Sequence, residues 1–84
     1  MENEINKNFK HKCACCGFYT ITEIHETCPV CFWEEDFYQE GNIDDDGGPN
    51  QPSLRIARKN FLEFKVKDIE YITLVRPPYQ DELE

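Results

Sequence analysis

The chain has 84 residues, with 17 acidic against 9 basic side chains and a formal net charge of −8. That length makes one small domain, near the limit at which a hydrophobic core suffices alone, so a metal or covalent staple is expected. The charge argues against general DNA binding, which depends on neutralising phosphates, and no apolar run is long enough for a membrane-spanning helix.

The first twelve residues, MENEINKNFKHK, are polar and read as a flexible segment over 1–12 without signal-peptide character. A cytoplasmic, reducing setting is the expectation, and there cysteine pairs bind metal or do redox chemistry rather than form structural disulfides. The odd number of cysteines, five, points the same way.

KCACCGFYTI follows, and then TCPVCFW. Cys13 and Cys16, followed by Gly17, have the spacing at which a turn brings two sulfurs to one side. Cys28 and Cys31 repeat it, with Pro29 stiffening the turn. The frame C-x2-C-x11-C-x2-C supplies four thiolates for one tetrahedral Zn2+ and leaves no open position, which describes a structural site. Four thiolates also suit a rubredoxin-like iron, and CPVC by itself resembles a redox pair, although no βαβ setting for it is evident. Cys15 falls outside the frame as an accessory thiol. His25, three residues before Cys28, is a fifth candidate ligand, a donor to a sulfur, or a solvent-facing residue, the last being the expectation. The stretch between the pairs, GFYTITEIHET, is β-prone with rough alternation and predicts a short hairpin.

Beyond the second pair, Phe32, Trp33, Phe37 and Tyr38 alternate with carboxylates and are expected to pack as core around the metal. Residues 32–48 carry Glu34, Glu35, Asp36, Glu40, Asp44, Asp45 and Asp46 with no basic residue, a local charge of −7. A Ca2+ loop is excluded, because the twelfth position counted from Asp44 is Arg55 and not Glu. No nucleophile or base partner accompanies Glu34, Glu35 and Asp36, so a non-enzymatic protein is expected. Ser53 reads as an N-cap, and Leu54, Ala57, Phe61 and Phe64 recur at helical spacing, which predicts an amphipathic helix over 53–65. Residues 69–75 suit a strand or a short helix, Pro77 and Pro78 stop it, and an acidic tail over 79–84 is expected to be mobile. The residues thus predict a small α+β fold over 13–78: a zinc-ribbon or rubredoxin-like double knuckle with a β-hairpin, plus one amphipathic helix.

CACCGFYTI, CPVCFWEED, GGPNQPSLRIARKNF and VRPP together resemble the cysteine-rich CPCC family, over nearly the whole chain from Cys13 to Pro78. Ala14 stands where the family usually has Pro, and Ile56 where Glu would complete a capping box with Ser53. The resemblance implies a bacterial, zinc-ribbon-like domain and brings no defined activity with it. Two function classes follow. One is a binding module that presents its acidic 34–46 loop to a basic protein partner, in an immunity or adaptor role, with Glu34, Glu35, Asp36, Asp44, Asp45 and Asp46 as contacts. The other is a redox protein using iron or Cys15. RNA binding through Arg55, Arg58 and Lys59 is a third, weaker reading.

Overall fold

The computed structural model describes residues 10–83. The flexible segment expected over 1–12 therefore lies outside the described residues, except at its last three positions.

Strand pairing begins at once. His11–Lys12 (β1) runs antiparallel to Tyr19–Ile21 (β2), His11 opposite Ile21 and Lys12 opposite Tyr19, with a bulge-like slip between the two rungs. These strands flank Cys13–Cys16, so the first cysteine pair sits at the tip of the hairpin. The expectation of a hairpin over 17–27 is corrected here. Glu26 Oε1 accepts hydrogen bonds from the Thr22 amide (2.7 Å), the Thr22 hydroxyl (2.9 Å) and the Glu23 amide (3.0 Å). Those bonds close residues 22–26 into a turn, with His25 at φ 68°, and leave no return strand. The second cysteine pair is flanked in turn by an isolated antiparallel bridge between Thr27 and Glu34.

The two cysteine loops share one pattern of backbone bonds. The Cys13 amide donates to the Phe18 carbonyl (2.8 Å) and the Gly17 amide to the Cys13 carbonyl (2.9 Å). In the second loop the Cys28 amide donates to Trp33 (2.8 Å) and the Phe32 amide to Cys28 (2.8 Å).

After Trp33 the chain forms a short helix, Phe37–Gly41 (α1), started by Asp36, whose carboxylate accepts from the Gln39 amide at 3.0 Å. Trp33 is fully buried, its indole N–H donating to Glu40 at 3.0 Å. Phe37 and Tyr38 are not core as expected: they are 60% and 55% exposed. A helix this short has one inward face, and Gln39 occupies it.

The main helix, Leu54–Phe64 (α2), lies within the expected 53–65 window. Ser53 caps it, accepting from the Ile56 amide at 3.4 Å, and Lys65 ends it in the left-handed region at φ 67°. Leu54 and Ala57 are fully buried, and Phe61 packs edge-on against Phe18 with centroids 6.2 Å apart. Residues Ile69–Leu74 form a 3₁₀ helix rather than a strand, capped by Asp68. The tail does not behave as a solvated appendage. Gln80–Glu82 form another 3₁₀ turn, and the Glu82 side chain is buried against Arg76.

The core gathers Cys13, Cys15, Cys28 and Cys31 with Ile21, Val30, Trp33, Leu54 and Ala57. Thiols thus take a large share of what aliphatic side chains supply in bigger domains. Among the described residues no helix is long and apolar enough to cross a membrane.

Candidate metal centre

Two loops of matching backbone geometry face each other, and their sulfurs converge. The Sγ atoms of Cys13, Cys16, Cys28 and Cys31 all lie within 4.8 Å of one another. Cys13 and Cys31 are 3.5 Å apart and Cys16 and Cys28 3.8 Å, with none of the five thiols in a disulfide. A tetrahedral centre with metal–sulfur bonds near 2.3 Å has sulfur–sulfur edges of about 3.8 Å, so the cluster fits a metal with small adjustment. Three of the ligands are buried and Cys16 is half-buried.

Charge supports the same conclusion. Cys28 is held far below the usual thiol range by hydrogen bonds from Cys13, Cys16 and Cys31, with the Thr20 hydroxyl adding a fourth. Cys13 is pushed up, first by its contact with Cys16 and then by that with Cys28, and Cys31 is pushed up first by Cys13. Thiols packed this closely oppose one another's ionisation, and a cation is what allows all four to ionise. Two further donors already point at one sulfur: the Thr20 hydroxyl lies 3.0 Å from Cys28 Sγ and the Val30 amide 3.4 Å from it. Second-layer donors of this kind fix thiolate ligands in place.

The rest of the chain buttresses the loops. The Lys67 amide donates to the Cys31 carbonyl (2.7 Å) and the Arg76 amide to the Pro29 carbonyl (3.0 Å). Arg58 Nε, from α2, donates to the Ala14 carbonyl at 2.9 Å. Lys67 itself is buried, its ammonium donating to Asn50 Oδ1 at 2.9 Å and lying 5.6 Å and 5.2 Å from the ring centroids of Phe32 and Tyr71. Burial pulls this lysine below its ordinary range, partly opposed by the Glu34 carboxylate. No local pattern marks the burial of this lysine. Its solvent-facing helical neighbours disguise a lysine that begins a new segment.

Cys15 is buried beside the centre and belongs to the core, outside the group of four. His25 is exposed, and its Nδ1 faces the Glu35 carbonyl at 3.2 Å, outside the ligand set. The acidic residues are dispersed in purpose. Glu34 has its backbone amide and carbonyl bound by Asn50, both at 2.7 Å. Asp36 caps α1, Asp44 pairs with Arg55 at 2.6 Å, and Asp45 accepts from the Tyr38 hydroxyl and from the Gly47 amide at 2.7 Å. The Arg55 guanidinium holds Asp44 below the usual carboxylate range. Glu35 is half-buried and raised, first by desolvation and then by Glu40, while Asp46 is exposed. Of Arg55, Arg58 and Lys59, the basic residues read for RNA, the first two are thus engaged by Asp44 and Ala14.

A small α+β domain built round four cysteines that can hold a metal ion is the class these observations define. Within it, the chain belongs to the cysteine-rich CPCC family, whose model matches residues 11–82. No curated protein matches it.

Proposed function

We propose that the chain is a non-enzymatic, zinc-stabilised binding module of zinc-ribbon type, acting in the cytoplasm by contact with a protein partner in an immunity or adaptor role. The observation that carries the metal half is the convergence of four buried or half-buried sulfurs at tetrahedral spacing. Zinc is favoured because four thiolates complete its shell and the ion then works as a staple, contributing folding energy rather than chemistry. Native mass spectrometry with elemental analysis, on protein purified without chelator or affinity-column metal, tests it. One zinc per chain is expected. One iron with a reversible redox couple would replace the staple with an electron carrier.

The contact half rests on Phe37 and Tyr38. Exposed aromatic side chains within an acidic stretch are the composition of a recognition surface, and a partner offering basic and apolar groups complements them. Since Asp44 is paired with Arg55 and Asp45 with the Tyr38 hydroxyl, the exposed rings of Phe37 and Tyr38 carry the interaction together with Glu35 and Asp46. Capture from source cells should recover a partner with the wild type, in a salt-sensitive manner, and lose it with Phe37→Ala. Equal recovery with both chains would reject this surface.

A further inference from the structure

An apolar cavity lies away from the acidic stretch. It encloses about 400 Å³ between the end of α2, the 3₁₀ helix Ile69–Leu74, and the segment that follows it. That volume falls within the range of about 300–1,000 Å³ typical of small-molecule sites. Its lining is mainly apolar: Phe18 and Phe61, which pack edge-on, Val30 from the second cysteine loop, and Ile72. Lys65 and Arg76 are the charged groups in the lining, with no carboxylate among the lining residues. In a chain of net charge −8, that local reversal is unexpected by composition.

The two cations differ. Arg76 is already satisfied, gripping both carboxylate oxygens of Glu82 at 2.9 Å and stacking 3.6 Å from the Tyr79 centroid. Lys65 has no carboxylate partner among the described residues, and its ammonium lies 5.8 Å from the Phe61 centroid, along the aromatic wall. Its backbone forms the left-handed turn that ends α2, which places the residue in the cavity lining. An apolar hollow beside a cation that no described residue neutralises selects an amphipathic molecule with a single negative head.

We propose that this cavity binds a small organic anion with an apolar body, such as a medium-chain carboxylate, the body lying between Phe61 and Ile72 and the head meeting Lys65. The cavity is separate from the surface around Phe37, so the inference stands whether or not that surface binds a protein.

Amide NMR of the metal-loaded full chain, titrated with octanoate and separately with octanol, tests this. Octanoate should shift the amides of Val30, Lys65, Ile72 and Arg76 and saturate at one equivalent. It should bind about fivefold more tightly than octanol, the worth of one partly exposed charge pair. Lys65→Asn suits the left-handed turn and removes the charge, so the advantage of octanoate should vanish while the fold persists. Ile72→Trp fills the cavity and should abolish binding of both ligands. Absence of saturable shifts, equal affinity for octanoate and octanol in the wild type, or binding undisturbed in a folded Ile72→Trp chain would each overturn the proposal. Should Ile72→Trp not fold, Lys65→Asn decides alone: an unchanged octanoate advantage overturns it. A cavity that instead accommodates a partner's side chain would leave octanoate unbound.

Discussion

Gly17 and Phe32 hold the same place in the two cysteine loops. Each directly follows the second cysteine of its pair, donates its amide to the first cysteine's carbonyl, and adopts a positive φ, 83° and 72° respectively. Glycine takes that conformation freely, whereas an L-residue with a bulky side chain is strained there by about 1–2 kcal/mol. Phe32 offsets the strain by stacking on Tyr71, centroids 4.7 Å apart and planes inclined 19°, under the Lys67 ammonium. A Cβ added at Gly17 would meet nothing within 4 Å, so Gly17→Ala should cost the strain alone, about 1–2 kcal/mol, without loss of metal. Phe32→Gly removes strain and packing together. The lost half-buried ring outweighs the relief, for a net destabilisation of about 1 kcal/mol. Thermal unfolding of the metal-loaded chains measures both, and a Gly17→Ala variant as stable as wild type would refute the equivalence of the loops.

Asn50 is the hub of a buried polar network. Its Oδ1 accepts from the Glu34 amide (2.7 Å) and Lys67 Nζ (2.9 Å), while its Nδ2 donates to the Glu34 carbonyl (2.7 Å) and Gln39 Oε1 (3.1 Å). Asn50 and Gln39 are fully buried. Asn50→Leu keeps the volume but strands an amide, a carbonyl and an ammonium, so a loss of roughly 3 kcal/mol or more is expected. Denaturant titration of the metal-loaded chains provides the measurement, and a loss under about 1 kcal/mol would mean that water replaces the side chain.

What could be read from the residues was what obeys a local code. The spacing of Cys13, Cys16, Cys28 and Cys31 marks the cluster, and the recurrence of Leu54, Ala57 and Phe61 marks α2, because a turn and a helix each repeat over a few residues. The Thr22–Glu26 turn escaped because a single side-chain acceptor overrode a β-prone run. The sequence pattern alone places Phe37 and Tyr38 in the core, since their exposure depends on the brevity of α1. The acidic stretch looked uniform in sequence, yet its members serve different distant partners: Asn50 lies 16 residues from Glu34, and Arg55 lies 11 from Asp44. Such pairings have no local signature.

The ligand assignment separates the five cysteines sharply. Substituting Ser for any one of Cys13, Cys16, Cys28 or Cys31 should release the metal and unfold the chain, because binding free energy at such a site is folding free energy. Cys15→Ser places a hydroxyl in the core and should cost about 1 kcal/mol, with one metal ion retained. Native mass spectrometry with circular dichroism distinguishes the two outcomes. Metal loss in Cys15→Ser would show that Cys15 enters the coordination shell. Chelator treatment of the wild type should likewise unfold it, reversibly on return of the ion.

The Arg76–Glu82 pair ties the end of the chain to the second cysteine loop, since the Arg76 amide also holds the Pro29 carbonyl. The Arg76 guanidinium keeps the Glu82 carboxyl below the ordinary glutamate value of 4.5, against the opposing effect of burial, with help from the Tyr79 amide and Lys10. A depressed folded-state value means that the unfolded chain takes up protons first as pH falls. The pair's stabilisation is therefore complete above the unfolded value near 4.5 and is lost as pH drops through the lower folded value. Glu82→Gln preserves the shape and removes the charge, so it should lower stability by about 1–3 kcal/mol at pH 7. Acid also protonates the thiolates, but it does so in both chains, and the difference between them isolates Glu82. Denaturant midpoints of wild type and Glu82→Gln at pH 7, 5.5 and 4 should show an equal gap at the first two and a smaller one at the last. A gap that persists unchanged at pH 4 would mean that the carboxyl titrates alike in the folded and unfolded chains, and one that widens as pH falls would mean a raised folded value; either contradicts the depression.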